Sequence, residues 1–350
     1  MKRNIFPLAA AAVTASLALG ACGSSGSGGT LNGAGASSQQ AAVAAWKQAF
    51  QTEHSDATVN YDPVGSGGGR EQFVAGGIDF AGSDAYLDDE ELAAAKERCG
   101  GEVVEVPVYV SPIAVVFNVE GVDDLNLSSA TIGAIFEGAI TTWNDPKIAA
   151  DNPDASLPDA PIVTVHRSDD SGTTKNFTAY LEETSGGAWT AGEVETWPTA
   201  EGESAQGTSG MIDRVKATDN SIGYADASQA GDLSTAAVKV GEEFVEYSPE
   251  AATAILEKSS RVEGRAETDL AIEIDRTTTE AGVYPVVLVS YAIACQTYED
   301  AAKAGLVKDW LAYLVSAEGQ EAAAADAGAA PITGTIAEES AAAVDTIAAK

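Results

Sequence analysis

Histidine is nearly missing from this chain, with 2 among 350 residues, His54 and His166. Neither sits in a recognisable catalytic triad or in a His, Cys and Asp spacing that would hold zinc. An exported serine esterase or phosphatase, suggested superficially by Asp170-Ser171-Gly172, therefore has no base to activate its serine. Basic residues are scarce too: 19 Lys and Arg face 53 Asp and Glu, a net charge of −34. That balance excludes a nucleic-acid binder, because no large face could neutralise a phosphate backbone. It fits a solvated acidic surface on a secreted protein. A nucleotide P-loop is also lacking, since Arg70 follows the Gly65 turn where Gly-Lys-Ser/Thr is required. The apolar run Ile5 to Leu19 is too short for a comfortable transmembrane helix.

Instead, that run follows Lys2 and Arg3 and reads as the core of an export signal. Leu19-Gly20-Ala21-Cys22 matches the lipobox of bacterial lipoproteins, with Cys22 the lipidated (palmitate-bearing) new N-terminus. Residues 1–21 are then a signal peptide and 22–30 a flexible Gly/Ser tether. The sequence holds 3 cysteines. Cys99 and Cys295, left in an oxidising compartment, are either a disulfide closing a long loop or two buried thiols.

The length suits two lobes, and the hydrophobic content of 45% allows a sizeable core. Ala42, Val43, Trp46 and Phe50 fall at helical spacing, with Ser37 or Ser38 as the expected N-cap. Strands are expected at 59–64 and 78–84, with a helix after Gly65 and another over 87–96. This alternation predicts an α/β lobe with a mostly parallel sheet. Val103 to Asn118 and Tyr284 to Ala294 are long apolar runs that read as crossings between lobes. Residues 125–142 carry a helical pattern, 185–210 read as a polar loop, and a short helix begins at Gly210. Val238 to Tyr247 suggests a short strand or hairpin. The Ala-rich tail 298–329 is helical in pattern, with Trp310, Leu311, Tyr313 and Leu314 as its core face.

The chain is organised around His166 to Thr174, a strand-to-helix turn with Ser171 at the N-cap and Phe177, Tyr180 and Leu181 on the buried face. Unpaired N–H groups and the helix dipole make such a turn an anion site. Arg167 adds a guanidinium fork that Asp169 can hold in place. Ala36-Ser37-Ser38 and Gly65-Ser66-Gly67-Gly68 repeat the chemistry: hydroxyls and small residues just before a helix. Asp84 would accept a hydrogen bond from a protonated oxyanion and repel fully ionised sulfate. Its alternative role is an N-cap or loop residue before the next helix.

Gly33-Ala34-Gly35-Ala36-Ser37, Val64-Gly65-Ser66-Gly67-Gly68, Asp79-Phe80-Ala81-Gly82-Ser83-Asp84 and Arg167 to Thr173 resemble, in order and spacing, the phosphate-binding proteins of bacterial high-affinity phosphate ABC transporters. Trp143-Asn144-Asp145 and Ile222-Gly223-Tyr224 also fit. The resemblance implies a two-lobed α/β periplasmic-binding-protein fold, type II-like, its lobes joined by two crossing strands. We place residues 31–108 and 287–350 in the first lobe and 109–286 in the second. It further implies a monomer, lipid-anchored at Cys22 on the extracytoplasmic face of the cell membrane, that binds inorganic phosphate and passes it to a permease without catalysis, cofactor or metal. The implied ligands are the Ser37 hydroxyl, the Ser38 N–H, Ser66 and Asp84 from the first lobe. The second lobe supplies Arg167, Ser171 and the N–H groups of Gly172 and Thr173, with Asp169 orienting Arg167. One departure is Ser37-Ser38, where the family commonly has Thr-Phe. Arg70 is extra to the motif and is expected to point to solvent. Another oxyanion, sulfate or molybdate, is the competing ligand, and Asp84 speaks against it.

Overall fold

A computed structural model describes residues 28–350. The expected signal peptide, Cys22 and most of the expected tether lie outside the described residues. The tether's last two residues, Gly29 and Thr30, are already strand, paired with Ala57 and Thr58.

The first lobe begins with β1 (Gly29–Gly35), α1 (Gln40–Glu53), β2 (Ala57–Asp62), α2 (Ser66–Val74), β3 (Phe80–Ser83) and α3 (Asp89–Cys99). Then comes β4 (Val103–Asn118), a single strand despite Pro107 and Pro112. The second lobe follows with β5 (Leu125–Leu127), α4 (Ser129–Phe136), α5 (Pro146–Asp151), β6 (Val163–Arg167), α6 (Gly172–Thr184), β7 (Glu203–Ala205), α7 (Gly207–Ala217) and β8 (Ser221–Asp226). A hairpin of β9 (Ser234–Val240) and β10 (Glu243–Val245) precedes α8 (Pro249–Ala254) and a small ribbon, β11 (Ser260–Arg261) with β12 (Ile272–Glu273). The chain returns through β13 (Val287–Cys295) and closes with β14 (Thr297–Tyr298), α9 (Ala301–Val315), α10 (Ala317–Ala327), α11 (Gly334–Asp345) and β15 (Ala348–Ala349).

The main sheet runs β2-β1-β3-β13-β4-β8-β6-β7. β1, β2 and β3 are parallel, as are β6, β7 and β8, while β13 and β4 are antiparallel to their neighbours. β4 is the shared strand. Up to Pro112 it pairs with β13, and from Ile113 to Asn118 with β8. Its residues from Val103 to Phe117 are all buried, so one mostly apolar strand serves both cores. The change of partner falls at 112/113, four residues beyond the boundary expected at 108/109. Residues 260–273 also pack on the first lobe rather than the second: Glu105 N–H donates to Thr268 O at 2.9 Å, and Leu270 N–H to Glu105 O at 2.8 Å.

Each lobe has its own aromatic core. In the first, Phe50 from α1 lies edge-on to Trp310 at 5.2 Å, Trp310 also meets Phe80, and Trp46 packs against Tyr109. In the second, Phe177 stacks on Tyr224 at 4.3 Å, flanked by Phe136 and Trp197. Burying one such phenylalanine stabilises the fold by about 1.5–3 kcal/mol. Cys99 at the end of α3 and Cys295 at the end of β13 form a disulfide with their Cα atoms 5.4 Å apart, which decides between the two readings of these cysteines.

Several local expectations shift. The helix expected over 125–142 is β5 followed by the shorter α4, because Leu125 to Leu127 are claimed by pairing with β9. The strand expected at 59–64 is 57–62, and the helix expected at Gly210 begins at Gly207. The tail helix breaks at Ser316, which both ends α9 and caps α10.

Candidate functional site

Ser171 is the N-cap of α6, its hydroxyl accepting from Thr174 N–H at 3.2 Å. Behind it Arg167 ends β6, nearly fully buried, and its Nε donates to Asp169 Oδ1 at 2.7 Å while Nη2 binds Asp169 Oδ2. Two further pairings fix the Arg167 backbone and the Asp169 carboxylate. Tyr224 OH receives the Arg167 N–H at 3.4 Å, and Gly207 N–H donates to Asp169 Oδ1 at 3.1 Å. His166 takes no part in a triad: it is buried, stacks on Trp197 at 5.0 Å and pairs through Nδ1 with Arg167 O.

Across from this turn stand the motifs of the first lobe. Ser66 is the first residue of α2, and its hydroxyl accepts from Asp84 N–H at 3.1 Å. Gly65 before it has φ 100°, a conformation that suits glycine, and a Cβ there would lie 2.6 Å from Asp170 O. A Cβ on Gly172 would lie 2.6 Å from Ser66 Oγ and 2.7 Å from Asp84 Cβ. Glycine at both positions is what allows the two turns to touch. Gly67 N–H donates to Asp170 O at 3.3 Å, so the lobes are closed on each other here.

Asp84 is not a helix cap. That role belongs to Asp88, which forms a reciprocal capping box with Glu91 at the start of α3. Asp84 is 3% exposed. Its Oδ2 accepts from Ser38 Oγ at 2.6 Å and Thr173 Oγ1 at 3.4 Å, and its Oδ1 from Ser290 Oγ at 2.7 Å. Burial pushes its carboxyl above the usual carboxylate range, and the hydroxyls of Ser38 and Ser290, the charge of Arg167 and Thr173 pull it back.

Ser37 and Ser38 do not cap α1 either; Gln39 holds that position without a side-chain bond. Tertiary partners claim both hydroxyls instead. Ser38 turns to Asp84, and Ser37 Oγ lies 3.0 Å from Thr208 Oγ1 and accepts from Thr208 N–H at 3.0 Å. Contacts join the residues named from sequence into one cluster: Ser38 and Thr173 reach Asp84 Oδ2, Ser66 takes the Asp84 N–H, Gly172 (next to Ser171) lies against Ser66 and Asp84, and Ser37 leads through Thr208 and Gly207 to the Arg167–Asp169 pair.

Three participants were not foreseen. Thr208 lies in Gly207-Thr208-Ser209-Gly210, a fourth small-residue turn before a helix, which the same rule applied once more would have found. Ser290 is the one serine in an apolar strand, next to a bulge in which Ser290 faces Tyr109 and Tyr291 faces Pro107. Asn176, one helical turn after Gly172, donates to Asp84 O at 2.7 Å and Gly172 O at 2.8 Å. Arg70, expected in solvent, is buried at 2% exposure against Glu91, Ser83 and Glu195.

The profile of the PBP superfamily domain matches residues 21–318. The phosphate-binding protein PstS 3 of Mycobacterium leprae is 37% identical over 289 residues, covering 81% of this chain and 78% of that protein. PstS 3 of Mycobacterium tuberculosis H37Rv is 36% identical over 294 residues, covering 82% and 79%. The chain belongs to the phosphate-binding protein family. Among solved structures of this fold, a high-affinity periplasmic phosphate-binding protein (PfluDING) bound with phosphate superposes with a TM-score of 0.70 at 22% identity, covering 91% of this chain and 93% of that one. A phosphate ABC transporter substrate-binding protein from Clostridium perfringens, described with bound phosphate, gives 0.64 at 22% identity, with 87% and 100% covered. The two-lobed periplasmic-binding-protein fold expected from sequence is therefore the fold of this family member.

Proposed function

We propose that this chain is an extracytoplasmic substrate-binding protein that captures inorganic phosphate between its lobes and delivers it to an ABC permease. The observation that carries the reading is Asp84. It is a buried carboxylate, held by hydroxyls, directly facing the N-terminus of α6 and the Arg167–Asp169 pair. Such a group is out of place in a site for a fully ionised anion and useful in one for an anion that keeps a proton. The P–OH of phosphate would donate to Asp84, while its charged oxygens take N–H groups of Ser38, Gly172 and Thr173, hydroxyls of Ser37, Ser66 and Ser171, and the Arg167 fork. Sulfate would leave a buried acceptor unpaired, which costs affinity. The helix N-termini act at short range, so an acidic exterior screened by physiological salt does not oppose them.

No chemistry is required of these residues: Ser171 caps a helix, and His166 is buried against Trp197. The chain is a carrier in this reading, not a hydrolase. The Cys99–Cys295 disulfide fits an oxidising compartment, and Cys22 is proposed as the lipid anchor of a monomer. Calorimetric titration of the domain after Cys22, stripped of phosphate, tests the proposal. Tight one-to-one phosphate binding without sulfate heat, and no turnover of a chromogenic phosphate ester, is expected. Equal binding of both anions, or ester turnover, would contradict it.

A further inference from the structure

Phosphate capture gives Arg167 a task but leaves a second buried guanidinium, Arg70, without one. Arg70 lies on α2, one turn beyond Ser66, and all three of its nitrogens are committed. Nε donates to both carboxylate oxygens of Glu91 at 2.9 and 3.0 Å. Nη1 reaches Ser83 Oγ at 3.0 Å and Glu195 Oε1 at 3.0 Å, and Nη2 reaches Glu195 Oε2 at 2.6 Å. A guanidinium so occupied has little left to offer an anion. Burial works against its charge, but Glu195 and Glu91 more than offset that and raise its pKa.

The partners divide by lobe. Ser83 and Glu91 belong to the first lobe with Arg70, so this cation stays neutralised there whatever the second lobe does. Glu195 comes from the long segment after α6, in the second lobe, and its pairing with both Nη atoms exists only when the lobes meet. The same residue reaches the anion turn, because its carbonyl accepts from Ser171 N–H at 3.2 Å. Thr196, next in sequence, bonds through its hydroxyl to Asp170 Oδ1. On the other side, Ser83 immediately precedes Asp84. One guanidinium thus ties the segment bracing Ser171 to the strand end carrying Asp84.

We propose that the Arg70–Glu195 pair is the clasp that keeps the lobes closed over the anion and holds the Ser171 turn in place. It sets how fast the ligand leaves rather than which ligand enters. Buried charge pairs of this sort act mainly on dissociation. The proposal rests on the phosphate-capture reading, and its test separates the two.

Glu195→Gln is the variant of choice, because Glu195 is in a loop and its side chain keeps 20% exposure. Stopped-flow release of phosphate from loaded wild type, Glu195→Gln and Glu91→Gln is compared, with small-angle scattering of the same samples. Glu195→Gln should release phosphate at least about tenfold faster, keep its preference for phosphate over sulfate, and scatter as a more open particle. Glu91→Gln, which breaks only a contact within the first lobe, should lower thermal stability with release close to wild type. Unchanged release in Glu195→Gln, or a lost preference over sulfate, overturns the clasp. Should wild type bind no phosphate, the capture reading falls, and a Glu195→Gln chain as compact as wild type would overturn the clasp separately.

Discussion

The first lobe brings neutral hydroxyls and a carboxylate to the site, Ser37, Ser38, Ser66 and Asp84, whereas the second brings a guanidinium, Arg167, and the N-terminus of α6. The two halves differ in how they are held. Asp84 is fixed by side chains from distant parts of the chain, Ser38 and Ser290. Arg167 is fixed locally by Asp169 and backed by a stack of Tyr224, Phe177 and Trp197. In the proposed site the second lobe supplies attraction and the first supplies discrimination, so damage to each should have a different signature.

The largest effect is expected from Arg167→Gln. It removes the attracting charge and leaves Asp169 buried without its partner. Truncating one member of a buried charge pair costs about 2–5 kcal/mol of binding, so phosphate affinity should fall by roughly 30-fold or more, in calorimetry, with sulfate no better bound. A weakened affinity accompanied by new sulfate binding would mean that discrimination is not confined to the first lobe.

Stability should divide between the lobes as well. Replacing Cys99 and Cys295 together by serine removes a bond made inside the first lobe that closes a sequence separation of 196. The expected cost is about 2–4 kcal/mol in denaturant unfolding, with phosphate affinity unchanged. A large loss of affinity would show that the α3–β13 tie also aligns Ser290 with Asp84.

A pH-dependent effect sits where the lobes share β4. Asp226, at the end of β8, is buried with Oδ2 unpartnered. Burial, with the charge of Asp84 adding to it, pushes its carboxyl up to about 7 against the hydrogen bonds of Ser228 and Ser111. A raised carboxyl is protonated in the folded state while the unfolded chain has already ionised near pH ~4. Its contribution is therefore fully present below about pH 4 and lost as pH rises toward 7, by at most about 1.4 kcal/mol per pH unit. Asp226→Asn should flatten that part of the stability profile. An unaltered slope would place the titration elsewhere.

The same contrast explains what was legible in the sequence. The second-lobe half is local: strand, Arg-Ser-Asp-Asp-Ser-Gly-Thr and helix are consecutive, so the Ser171 cap and the Asp169 partner can be read from spacing alone. The first-lobe half is tertiary. Ser38 looks like a helix cap until Asp84 competes for its hydroxyl, and Ser290 looks like an incidental serine until the β4–β13 bulge sets it beside Asp84. Arg70 looks like a surface residue because Glu195 is 125 positions away. The crossing strand was readable since the run from Val103 to Asn118, although Pro107 and Pro112 interrupt it, is too apolar to leave a face in water. Its point of handover was not, because Pro112 and Ile113 carry no signal for which neighbour they pair with.

The division of labour between the lobes is tested most directly by titrating Asp84→Asn with phosphate and sulfate beside wild type. An amide can donate to a fully ionised oxygen where the carboxylate cannot. The account predicts weaker phosphate binding and new sulfate binding, narrowing the preference by about 1–3 kcal/mol, or roughly five- to 150-fold. A variant that binds phosphate less tightly yet still excludes sulfate as wild type does would contradict the assignment of selectivity to Asp84.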